Sequence, residues 1–140
     1  MKSKRKEEDI FDRIELLCSL ITSQGGTVEI SGKESLRTYK IHALKHDYYF
    51  VAIKLKCDEW KISDDERKVS PAILKAEKLL REGRMKKYGY CSLLIQFRVS
   101  GQYYEFPLDE ISYAINRATH EENYCMKPKH GNIWYESLVR

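Results

Sequence analysis

Asp47, Glu59 and Lys61 are residue types from which a metal-dependent nuclease builds its centre, because carboxylate oxygens hold the hard divalent cation that polarises water and phosphate. Glu59 and Lys61 stand two apart, and Asp47 lies twelve positions before the acid. The segment between them, "YYFVAIKLKC", is predicted to be one extended strand. At ~3.3 Å per residue it would hold Asp47 and Glu59 roughly 30 to 40 Å apart, whereas the ligands of one ion each lie ~2 Å from it. In that arrangement the two acids share no cation. The string then reads as coincidence in a chain with 33% charged residues.

Other groups invite chemistry less sharply. Lys54 and Lys56 alternate on the same strand, either as a solvated face or as phosphate contacts. Lys40 precedes them on the neighbouring segment, and a slip of one residue would turn it to the opposite face. Arg81, Arg84, Lys86 and Lys87, beside Tyr88 and Tyr90, form the densest basic stretch after the amino terminus. Such a stretch can track a phosphate backbone, or complement the dipole at a helix end. Glu8, Asp12 and Glu15 follow helical spacing and read as a solvated helix face, with a metal-side acid at Glu15 as the alternative. His42 is placed as a structural donor or a general base. His120, Cys125 and His130 are evenly spaced, which is weak evidence for a metal site.

The elements that must position these groups follow from periodicity. Ile10, Phe11, Ile14, Leu17, Cys18 and Ile21 predict a helix over residues 6–24, stopped by Gly25 and Gly26. "TVEIS" and "RTYKIHAL" are predicted strands. In the third, Tyr49, Val51, Ile53, Leu55 and Cys57 face one way, with Phe50, Ala52, Lys54 and Lys56 opposite. A polar loop, "CDEWKISDDERKVS", leads to Ser70 and Pro71, which open an amphipathic helix that Gly83 is expected to close. "YGYCSLLIQFRV" and "YYEFPL" are two further strands around the turn "SGQ", and "LDEISYAINRA" is a last helix. A helix between the third and fourth strands implies a crossover to a parallel neighbour.

The chain of 140 residues, 42% apolar with a net charge of +4, suits one domain with one core. We expect a basic arm at residues 1–6, a core at 7–118 and an irregular extension at 119–140. Cys18, Cys57, Cys91 and Cys125 show no CxxC pairing and are expected as reduced thiols. No stretch has the ~20 apolar residues of a membrane span, and "MKSKRKEED" lacks the apolar region of a secretion signal. A cytoplasmic location is expected.

The order helix, three strands, helix, two strands, helix resembles the core of the restriction-endonuclease-like superfamily, known by its PD-(D/E)XK motif, and most closely the archaeal Holliday-junction resolvases. "HDYYFVAIKLKCDEW", "LLREGRMKKYG", "YCSLLIQFRV" and "YYEFPLDEI" carry the resemblance, which spans about residues 4–115. It implies an α/β fold, a mixed central sheet flanked by helices. It also implies a first acid on the second strand and an acid and lysine two apart on the third. Laid on this sequence, those positions fall on Lys40, Lys54 and Lys56, so only the lysine is retained. An ammonium offers no lone pair to a cation.

The resemblance therefore implies a degenerate nuclease that binds nucleic acid, branched or structured duplex DNA above all. No catalytic residues, no metal ligands and no cofactor are expected. Contacts are expected from Lys40, Lys54, Lys56, Arg81, Arg84, Lys86 and Lys87. A homodimer is expected too, as resolvases of this type are symmetric. Two alternatives stay open. One is an active Mg- or Mn-dependent endonuclease whose acids have moved to Glu15, Glu29 or Asp47. The other is an inactive nuclease-fold subunit that acts through protein contacts.

Overall fold

The computed structural model describes residues 9–55, 63–65, 68–69, 71–86, 88–98, 101 and 103–120. Among the described residues the chain is α/β, with a five-stranded mixed sheet and three helices. Helix α1 (Ile10–Ser23) precedes strands β1 (Thr27–Gly32), β2 (Leu36–His42) and β3 (Asp47–Leu55). A two-stranded ribbon of β4 (Ser63–Asp65) and β5 (Lys68–Val69) follows, in the segment expected to be a plain polar loop. Then come α2 (Pro71–Met85), β6 (Tyr90–Phe97), β7 (Tyr103–Pro107) and α3 (Leu108–His120).

The main sheet runs β1-β2-β3-β6-β7. Its β3–β6 pair is parallel and the other three are antiparallel, as the helix between those two strands requires. β3 is thus central, and both its faces are covered. Tyr49, Val51 and Ile53 pack with Ile73, Ala76 and Leu80 of α2 and Ile111 and Ala114 of α3. Phe50 and Ala52 pack on the other face with Ile10, Phe11, Ile14 and Leu17 of α1. The alternation expected for this strand holds through Leu55, but its second face is no solvated hairpin surface: Phe50 and Ala52 are fully buried.

Local chemistry sets the ends of α1. The Asp9 carboxylate accepts from the Phe11 and Asp12 N–H groups at 2.8 and 3.4 Å, satisfying donors a helix start leaves open. At the other end the Gly26 N–H reaches Ile21 O (3.0 Å) and the Gly25 N–H reaches Thr22 O (3.1 Å), with Gly25 at φ +97°. That is the paired-bond stop for which a left-handed residue is needed. Gly83 plays a different part from the one expected. α2 continues past it to Met85, and a Cβ at Gly83 would strike the Tyr49 ring. The glycine is there for close approach of helix to sheet.

Candidate functional site

Open α/β sheets bind ligands outside the carboxyl ends of their parallel strands. Here those ends are Leu55 and Phe97, and the pair just before them, Lys54 and Gln96, lies under the first turn of α1. The buried Gln96 amide fixes that turn: its Oε1 accepts the Ile10 N–H at 3.0 Å and its Nε2 donates to Gly101 O at 2.8 Å. Asp9 caps the helix and also receives the Lys54 ammonium. Burial alone would raise the Asp9 pKa. The hydrogen bonds from Lys54 and the helix N–H groups outweigh that effect and hold it below 3.8.

Next to this pair the Phe11 ring, 3% exposed, lies between two cations. The Arg37 guanidinium carbon is 4.4 Å and the Lys54 Nζ 4.6 Å from its centroid, distances at which ring and cation attract. Glu15 Oε2 accepts from Arg37 Nη1 at 2.6 Å and from the Tyr39 hydroxyl at 2.9 Å. Burial, then the Glu15 carboxylate, push the Tyr39 phenol upward, so it stays a donor. Glu15 is therefore not on a solvated helix face. Asp9 and Glu15 balance Lys54 and Arg37, and the cluster clamps α1 to the sheet with little net charge.

Strand parity corrects one expectation. Lys40 pairs with Tyr49, which belongs to the α2-side core, whereas Lys54 meets α1. Their side chains leave opposite faces of the sheet, so they do not line one pocket. Lys56 and Lys87 lie outside the described residues, as do Glu59, Lys61, Cys57, Cys125 and His130. Of the relocated acids, Glu29 pairs with Lys40 and Asp47 with His42 across the strands, on the face opposite Glu15. The three cannot surround one ion. Among the described residues no three His, Cys, Asp or Glu side chains are grouped to hold a metal.

His42 is half exposed, with Nδ1 3.1 Å from Asp47 Oδ1 and Nε2 3.5 Å from the Tyr88 hydroxyl. Cys18 and Cys91 are buried free thiols. Burial and the Glu15 carboxylate push Cys18 up to about 12, which leaves it inert as a nucleophile.

The strongest charge asymmetry lies on α2. Ile73, Ala76, Leu80 and Gly83 face the core, while Lys75, Lys78, Arg81, Arg84 and Lys86 are exposed and Glu82 is the sole exposed acid over residues 71–86. Arg81 donates to the buried Glu77 (3.0 Å), itself held by Ser112 Oγ (2.7 Å), and Arg84 to Asp109 of α3 (2.7 Å). The Asp109 hydrogen bond raises the Arg84 pKa. Both guanidiniums remain more than half exposed. Lys40 stands on this side of the sheet, next to Tyr49, on which Gly83 rests. Sequence reading found Arg81, Arg84 and Lys86 but missed Lys75 and Lys78, although their spacing of three on a helix was available.

No protein-family model, curated protein or solved structure matches the chain.

Proposed function

We propose that this chain is a non-catalytic nucleic-acid-binding protein that meets phosphates with the outer face of α2, extended by Lys40. The observation that carries this reading is the exposed row Lys75, Lys78, Arg81 and Arg84 on α2, continued by Lys86 just past its end. Glu82 is the sole exposed acid of the segment, and among the described residues only the two arginines of the row are ion-paired, with Glu77 and Asp109. Backbone binding needs such an array of cations and little else. A mildly basic chain, with a sequence pI of about 8.8, is compatible with it.

The resemblance to archaeal Holliday-junction resolvases adds a frame and a preference for branched duplex DNA, both part of this proposal. On the α1 face, the β3 positions two apart are Ala52 and Lys54, beside Tyr39 of β2 and Glu15 of α1. Within the resolvase frame these would be the catalytic positions, in place of the register through Lys40, Lys54 and Lys56. Ala52 and Tyr39 bring no carboxylate, and Glu15 is engaged by Arg37. In this reading Lys54 is a helix clamp instead of a phosphate contact.

The test is to titrate four-way junction, linear duplex and single-stranded DNA at two salt concentrations. A parallel nicking assay contains magnesium or manganese. Salt-sensitive binding without cleavage is the expected result. Metal-dependent cuts at defined points would establish the nuclease alternative. Failure to bind any of the three at low salt would leave the protein-interaction alternative in front.

A further inference from the structure

We infer that the free edge of β1 is a self-association surface, taking a second copy of this chain by antiparallel strand pairing with Ile30 opposite Ile30 of the second copy. Among the described residues β1 is an outer strand of the sheet with no strand beyond it, and every residue from Glu29 to Gly32 is exposed. Natural edges are usually blunted by charged side chains, lysine above all, by proline or by a bulge. "TVEISG" carries one charge, Glu29, but neither lysine nor proline, and its register with β2 is unbroken. The opposite edge, β7, is shorter and carries Pro107.

The backbone specifies which groups are free. Lys33 N–H donates to Leu36 O at 2.8 Å and Ala43 N–H to His46 O at 3.0 Å. Hydrogen-bonded and open pairs alternate along antiparallel ladders. From either bond, β1 uses Thr27, Glu29 and Ser31 toward β2, leaving the N–H and C=O groups of Val28, Ile30 and Gly32 pointing outward. An isologous contact about a two-fold axis perpendicular to the sheet must pair residues on the same face, so the axis passes at a residue, and residues 29 and 30 are the two centres that keep most of Thr27–Gly32 paired. Centring on Glu29 would place two carboxylates directly opposite each other, which is destabilising. Centring on Ile30 sets Glu29 against Ser31 of the second copy and Val28 against Gly32. It also brings together two Ile30 side chains, each 48% exposed in the single chain.

In this register β1 is complementary to itself, with no like charges opposed, and that makes a second copy the occupant. The inference stands apart from nucleic-acid binding, and its test is separate. Sedimentation of the full chain is expected to show a dimer. Ile30→Pro removes a donor that β2 does not use, so it should give a folded monomer with an unchanged far-ultraviolet spectrum. Ile30→Cys tests the register without relying on that variant: mild oxidation should yield a 30–30 disulfide, mapped on peptides by mass spectrometry. Mixed Val28→Cys and Ile30→Cys chains, which keep Glu29, should give no 28–30 disulfide in the same assay. A monomer at every concentration, a dimer that survives Ile30→Pro, or a 28–30 disulfide in preference to 30–30 would overturn the inference.

Discussion

At the scale of single residues, the α1-side cluster shows how charges serve attachment. Asp9 has a folded pKa below its ordinary 3.8, so ionised Asp9 stabilises the fold above that value and loses its contribution as pH falls through the folded pKa. Asp9→Asn keeps the cap but drops the pairing with Lys54. It should cost up to about 1 kcal/mol at neutral pH, since the pair is partly exposed. The difference from the parent should shrink as pH falls through the lowered Asp9 pKa, as measured by urea melts across pH. Tyr39→Phe leaves Glu15 with Arg37 alone and should destabilise by roughly 1 kcal/mol, the net worth of one such hydrogen bond. Cys18 and Cys91 should resist alkylation at pH 8 until urea unfolds the chain, as peptide mass mapping would show; rapid native labelling would contradict their burial.

At the scale of elements, periodicity made the helices and main strands legible, together with the parallel crossover. Side-chain period is a local property, and both Val51 and Phe50 faces of β3 appear in it. A sheet flanked by helices was expected, but the period of β3 could not say that its Phe50 face is roofed by α1, because that depends on α1 arriving from a distant part of the chain. Lys40 was unreadable for a related reason: its face depends on the β2–β3 register, which no residue near it announces. Glu15 looked solvated because its partners Arg37 and Tyr39 are on another strand. Gly83 looked like a helix stop because glycine is common there, while its actual neighbour, Tyr49, is remote in sequence. That difference has a measurable sign. Alanine for a helical glycine ordinarily gains up to about 1 kcal/mol, but Gly83→Ala drives a methyl into a 5%-exposed ring. It should cost roughly 1–3 kcal/mol as an overpacking change. A raised melting temperature would show that α2 does not rest on Tyr49.

At the scale of the whole molecule, the two sides of the sheet divide the work. α1 is locked on one side by balanced ion pairs, and on the other α2 turns outward a row of cations of which, among the described residues, only Arg81 and Arg84 are ion-paired. If two copies join through β1 about an axis perpendicular to the sheet, both α2 helices lie on the same side of one continuous sheet. With strands ~4.8 Å apart, their separation would be roughly 30 Å, comparable to one turn of duplex at ~34 Å. A dimer should therefore bind a junction or duplex as a single unit. Ile30→Pro should weaken binding without altering the cation row. None of this geometry was accessible from composition, which showed only a mild positive charge.

The most direct measurement is DNA affinity as a function of salt for the parent chain and for Lys75→Gln/Lys78→Gln/Lys86→Gln, which leaves the Arg81–Glu77 and Arg84–Asp109 pairs in place. The parent should bind with a steep negative slope of log affinity against log salt, and the triple variant should lose affinity for junction and duplex alike. Its slope should be shallower by roughly one for each lysine that contacted phosphate. Equal affinity and equal slope for the two proteins would contradict a phosphate-binding role for α2.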